Sequence, residues 1–462
     1  MKKRRMWGIL TLTLLLPLAI SAHAQFSVLY NFGSHLGDPA RPNSAGIIAQ
    51  GRDGNLYSTT SAGGTGYGTV FKMTPAGKLT ALYSFTGGTD GGSPLGGLTL
   101  GTDGSFYGTT VTGGTSNDGT IFKITPSGGL TTLYNFTDGS DGAFPHAPPI
   151  EASDGNFYGT TGGSFQQGGT VYRTTPSGTF ETLYQFAVQT FPTGAPLVQG
   201  TDGDFYGTLT GDVFKITTAG QLKILHSFDG THGADPVGPL VQASDGNFYG
   251  TTASGGTNNG GVVFKMTPTG AFKVLYNMNG NGSSPLAGLV QATDGNFYGP
   301  NFYGGGDDVC SGQCGVIFEI TPAGTFSALL DFTKTDGAYP AVTPIQHTNG
   351  VIYGDTSAGG NGKVKPCNPD TMSCGVFYSY AGLPPFVSLL PYSVKVGKTI
   401  GFLGQGFTSA SAVSFNGITA TFHVESDTFL TAVVPSGATT GVASVTTSGG
   451  TLNSNRPFRV TP

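Results

Sequence analysis

Two clusters of cysteine stand out as reactive groups in this chain. "VCSGQC" holds Cys310 and Cys314, and "PCNPDTMSC" holds Cys367 and Cys374. In an oxidising compartment, close cysteines in even number form local disulfides, here Cys310–Cys314 and Cys367–Cys374. A four-cysteine zinc site is the alternative, although these spacings match a zinc knuckle poorly. Beside the first cluster stand Tyr303, Asp307 and Asp308. Their carboxylates can bind sugar hydroxyls or a cation, and the ring can stack on a sugar. Glycosidic cleavage takes two acids facing each other across a cleft, and Asp138, Asp141, Asp307 and Asp308 all fall in loops. Glutamate is scarce, with only Glu151, Glu181, Glu319 and Glu425. The histidines have no metal-ligand spacing. No nucleophile elbow or phosphate loop stands out in a chain with 78 glycines. No catalytic residue is assigned, and no metal or cofactor is expected.

The elements that must position these groups repeat. "DGNLYSTT" at Asp53 returns as "DGSFYGTT" at Asp103 and "DGNFYGTT" at Asp154. Further copies begin at Asp202, Asp245 and Asp294, and a worn copy, "NGVIYGDT", begins at Asn349. Successive copies lie 50, 51, 48, 43, 49 and 55 residues apart, a period typical of propellers and solenoids. Each unit reads as four short alternating strands, a to d, split by Gly-rich turns and containing no helix. In the second unit these are "GGLTLG", "FYGTTV", "TIFKIT" and "LTTLYNF". Four antiparallel strands per repeat predict a propeller blade. Asp-Gly falls at the a–b turn, where Gly supplies positive φ and Asp bonds nearby amides. The last unit lacks strand d, and "FSVLYNF" near the N-terminus matches one. The predicted fold is all-β: a seven-bladed propeller over 25–382, closed by that N-terminal strand. Three residues before each turn stand Gln50, Leu100, Glu151, Gln199, Gln242, Gln291 and Gln346. They are expected to satisfy backbone groups at the inner edge; lining the central channel is the alternative.

The N-terminus reads as a secretory signal peptide over 1–24. Lys2 to Arg5 precede an apolar run, and Ala22-His23-Ala24 supplies the cleavage site. Removing it leaves 17 basic against 26 acidic residues, a net charge of −9, the wrong sign for nucleic-acid binding. The mature chain is therefore expected to be extracytoplasmic, with no membrane span and no nucleic-acid partner.

The tandem units "DGNFYGTT…GGT…GTVFKMTPAG…LTALYSF" resemble the GloVer repeat family of exported bacterial proteins, a choice-of-anchor group, over about Phe26 to Gly382. The resemblance implies a variable C-terminal module and no particular reaction. Over 385–462 short alternating strands predict a small β-sandwich. "GQGF" at Gly404–Phe407, "VSFNG" at Val413–Gly417, "SDTFLTAVVP" at Ser426–Pro435 and "PFRV" at Pro457–Val460 make this segment similar to an IPT/TIG domain. That likeness implies an immunoglobulin-like fold used as a spacer or docking unit.

These readings favour an exported, non-catalytic binding or cell-surface protein. An extracellular polysaccharide lyase or glycosidase acting through loop carboxylates is the alternative. The a–b and c–d turns share one face and are short and uniform. The b–c and d–a loops share the other face and vary, as binding loops on a rigid scaffold do. Tyr67, Asn117, Asp118, Asn258 and Asn259 lie there. The expected ligand is a glycan or cell-surface component, held near Tyr303, Asp307 and Asp308.

Overall fold

The computed structural model describes residues 25–42, 46–164, 166–279, 282–306, 310, 313–363, 367 and 374–461. The expected signal peptide, Asp307 and Asp308 lie outside them. The described chain is all-β, with one short 3-10 turn at Phe407–Ser409. The repeats form four-stranded antiparallel sheets, seven among the described residues, arranged as propeller-like blades. The second blade is representative: strand a is Thr99–Leu100, b is Phe106–Thr110, c is Thr120–Ile124 and d is Leu130–Asn135. Strand b is buried along its whole length, whereas strand d is half-exposed. In every blade the Gly of the a–b turn has positive φ, from 72° at Gly54 to 92° at Gly203, as its turn chemistry requires.

The N-terminal strand is the missing strand d. Phe26–Asn31 pairs antiparallel with Val376–Tyr380, joining the two ends of the repeat region in one sheet. It carries a bulge between Val28 and Tyr30, matching the bulge between strands c and d elsewhere, as at Ile121/Phe122. Pairing covers an edge that would otherwise offer unpaired backbone to another chain.

Blades meet through the Phe-Tyr of strand b. Tyr57 stacks on Phe106 at 4.0 Å, Tyr107 on Phe157 at 3.8 Å and Tyr158 on Phe205 at 4.1 Å. Tyr206 then stacks on Phe248 and Tyr249 on Phe297. Tyr298 shares a core with Ile352, and Tyr353 shares one with Leu56 of the first blade, so the series returns to its start. Each such aromatic pair adds about 0.5–1.5 kcal/mol beyond its buried area.

From Phe386 onward the chain builds two further four-stranded sheets. One contains Thr399–Leu403 and Phe429–Val433, and the other Ala412–Phe415 and Ala443–Thr447. They enclose one core, with Phe402, Phe407, Phe415, Leu430, Val445 and Phe458 buried in it. Among the described residues no helix is long and apolar enough to cross a membrane.

Candidate functional site

The turn face is built from side chains bonded to their own scaffold. In the first six blades the turn Asp accepts the hydroxyl of the Tyr four residues on, as Asp53 does from Tyr57 at 2.7 Å and Asp245 from Tyr249 at 2.9 Å. Sequence reading placed the Asp on backbone amides, which it also accepts (Asn247 N–H to Asp245, 3.0 Å). It missed the Tyr, whose signal was the fixed D-x-x-x-Y spacing. A strand-c Lys completes the lock in four blades, with Lys123–Asp103 at 2.7 Å and Lys265–Asp245 at 2.8 Å. Burial opposes ionisation of Asp245, but Lys265, Asn247 and Tyr249 together hold its pKa down to about 2. The sixth blade has Glu319 in place of the Lys. There burial and Asp294 raise the glutamate's pKa, while Asn296 donates to both acids.

The Gln series latches blade to blade. The N–H of Thr348 donates to Gln50 at 3.0 Å, Ser153 to Gln199 at 2.9 Å, Thr201 to Gln242 at 2.9 Å and Ser244 to Gln291 at 2.8 Å. Thr293 bonds Gln346, and Thr102 bonds Glu151, whose pKa burial raises. These side chains satisfy backbone donors. The exceptional junction is Leu100. There Arg52 replaces the usual Ser or Thr, and its guanidinium donates to the Thr102 carbonyl at 2.5 Å.

The same Arg52 seats the C-terminal sheets. Its guanidinium lies 4.4 Å from the centre of the Phe429 ring, and its carbonyl accepts the Thr428 hydroxyl at 2.8 Å. Phe386 N–H and the Gln405 side chain bind Thr348 of the seventh blade at 3.1 and 3.0 Å. A Cβ at Gly54 would stand 2.7 Å from the Thr428 methyl, so the fit there is close. An open cleft of about 660 Å³ remains beside this seat, lined by Arg52, Thr102, Glu425 and Phe429. The turn face of blades seven and one is thereby covered.

The loop face lies away from this seat. Tyr303 is 39% exposed there, edge-on to Phe302 at 4.8 Å and to Tyr339 at 5.8 Å. Asp307 and Asp308 cannot be placed beside it, since they lie outside the described residues. The disulfides are Cys310–Cys314 and Cys367–Cys374. They are buried rather than displayed: the first packs with Phe332 and Tyr378, the second with Phe32 and Phe71. Three of the loop residues expected to meet a ligand are committed elsewhere. Asn117 and Asn259 accept from Gly113 and Gly255 at 3.0 Å each, and Asn258 donates to the Met278 carbonyl. Asn117 and Asn259 hold their own loops because their side-chain carbonyls accept those turn amides. Tyr67 is 51% exposed, and burial together with Asp138 and Asp141 raises the pKa of Asp118.

Among the described residues, several acids are held by scaffold partners. Asp141 accepts from Tyr134, Thr137 and Gly139. Glu181 pairs with Arg173, and Glu425 lies 3.8 Å from His423. Among the described residues no three His, Cys, Asp or Glu side chains converge to hold a metal ion.

A family profile described as the Gloeobacter/Verrucomicrobia repeat matches residues 18–212 and 210–415. No curated protein matches the chain. Among solved structures, a fungal alcohol oxidase of the AA5 family, in complex with copper, is similar over 93% of this chain and 100% of its own. Its identity is 16% and its TM-score 0.52. The extracellular domains of two B. thetaiotaomicron proteins described as hybrid two-component systems are similar over 95% of this chain, at 11% and 12% identity and TM-score 0.50. This chain spans only 58% and 59% of their lengths. At these identities the likeness is one of fold.

Proposed function

The chain belongs to the Gloeobacter/Verrucomicrobia repeat family, and on that premise we propose that it is an exported, non-catalytic binding protein. Its repeats form a closed seven-bladed propeller, and an IPT/TIG-type, immunoglobulin-like module follows as a docking unit. The signal-like N-terminus and the two disulfides support an extracytoplasmic address. One observation carries the functional reading. The turn face is occupied, with its Asp, Tyr and Gln side chains spent on the scaffold and the C-terminal sheets seated on Arg52 and Thr348. The variable loop face, with Tyr303, is the surface that remains. A polar ligand, a glycan of the cell surface or surroundings, is the proposed partner, with Tyr303 on its side of the molecule and Asp307 and Asp308 as its proposed carboxylate contacts.

A glycan and polysaccharide array on the mature chain, with product analysis of every hit, tests this. Saturable binding without new reducing ends or unsaturated products is expected. Turnover of a bound glycan would establish the lyase or glycosidase alternative instead, and no binding at all would remove the glycan.

A further inference from the structure

The loops entering strand a share an arrangement that the repeat motif does not explain. In six of them the residue before a proline has left-handed φ: Arg41, Ser93, Phe144, Asp235, Ser284 and Tyr339, all between 52° and 57°. Such φ is uncommon for any residue with a Cβ and is a genuine outlier for a bulky one. A following proline restricts the residue further. Glycine would relax each position, yet none of the six is glycine in a chain with 78 of them.

The backbone around these residues is uniform. The carbonyl of each accepts the N–H of a residue just after strand b, at 2.9–3.3 Å, and Phe191 before Pro192 does the same in the fourth blade. In five of the six left-handed residues the N–H donates to a b–c loop carbonyl, as Tyr339 does to Cys314 at 2.8 Å. The side chains all reach the surface: Arg41 and Asp235 are exposed and the rest half-exposed. The segments that follow touch one another across the blades, Ile47 bridging to both Gly97 and Thr343, so they surround the axis. The same strained backbone in six blades, with Phe191 in the fourth, thus displays five kinds of side chain over seven blades.

The geometry points to a recognition ring. These seven pre-proline residues contact the ligand and set its specificity, and the ligand is a glycan chain laid across the mouth of the loop face. This rests on the binding reading above and names its residues. Three aromatic rings, two serine hydroxyls, one guanidinium and one carboxylate suit a sugar, which has apolar ring faces edged by hydroxyls; Asp235 is oriented by the Ser254 hydroxyl at 2.6 Å and Tyr339 by stacking on Phe302 at 4.9 Å. A protein partner would call for a continuous apolar centre, whereas four of the seven ring residues are polar or charged. Tyr303 joins the ring, since its backbone bridges to Ser283 and its side chain lies 5.8 Å from Tyr339.

The test combines Arg41→Gly, Phe144→Gly and Tyr339→Gly in the mature chain, with Arg41→Gly alone as the minimal variant. Glycine suits the observed φ, so Arg41→Gly is expected to melt at or above the wild-type temperature. The triple variant should lose at least tenfold in affinity for the array-selected glycan, and the single variant a smaller factor. Wild-type affinity in the triple variant would overturn the ring while leaving glycan binding standing. A melting temperature of Arg41→Gly well below wild type would show a structural role and also overturn it. Failure of the wild-type chain to bind any glycan would remove both readings, and saturable capture of a purified cell-surface protein in its place would reassign the face to a protein partner.

Discussion

Asp355 has the least accommodated side chain in the repeat region. It is fully buried and neither carboxylate oxygen has a hydrogen-bond partner, so its pKa stands well above the usual range. Five other blades have Thr at this point of strand b, and Thr109 donates to the Pro145 and Ala147 carbonyls of the next blade. Asp355→Thr should therefore stabilise the fold by about 1–3 kcal/mol at pH 7 in urea unfolding, and a lower midpoint would contradict this. His347 sits nearby in sequence but is well bonded. Its Nε2–H donates to the Gly54 carbonyl and its Nδ1 accepts from Asn349, so the ring is neutral. Burial lowers its pKa below 6.5. The unfolded chain protonates there first, so its contribution is intact above about 6.5 and declines as pH falls below that value. Asp355 acts with the opposite sign, so the informative quantity is the difference from His347→Gln. Between pH 7.5 and 5.5 the wild type should lose more stability than the variant, and parallel curves would refute the assignment. The Asp of the turns was legible in the sequence because its Gly fixed the geometry. Its Lys partner was not, since Lys265 reaches Asp245 across a strand pair whose register only the fold sets.

At the scale of elements, the blades were legible because each carries its own punctuation, and Phe26–Asn31 could be matched to strand d by pattern alone. The bulge shared by the c–d pairs left no sequence mark beyond ordinary alternation. Nor did the pre-proline residues, whose left-handed φ contradicts local preference and so cannot be inferred from it. The N-terminal strand makes a specific prediction. Deleting 25–32 removes Phe32 from the core it shares with Phe71 and Phe377 and uncovers Val376–Tyr380. The truncated chain should melt at least 10 °C lower and form concentration-dependent aggregates by light scattering. A monodisperse truncated chain with wild-type melting would show that this strand does not close the sheet.

For the molecule as a whole, the change of composition after Gly382 marked a second unit, but not where it sits. That position depends on Arg52 meeting Phe429, 377 residues apart in sequence, and on Leu100 vacating the side-chain latch made elsewhere by Gln or Glu151. The consequence is that the C-terminal sheets cover the turn face at blades seven and one. Hydrogen–deuterium exchange on the full mature chain, with and without its array-selected glycan, tests this most directly. The account predicts protection confined to the seven pre-proline loops, those holding Arg41, Ser93, Phe144, Phe191, Asp235, Ser284 and Tyr339, with the Asp-Gly turns unchanged. Protection centred on the turns at 52–55, 102–105 and 153–156, or on the cleft beside Phe429, would contradict it.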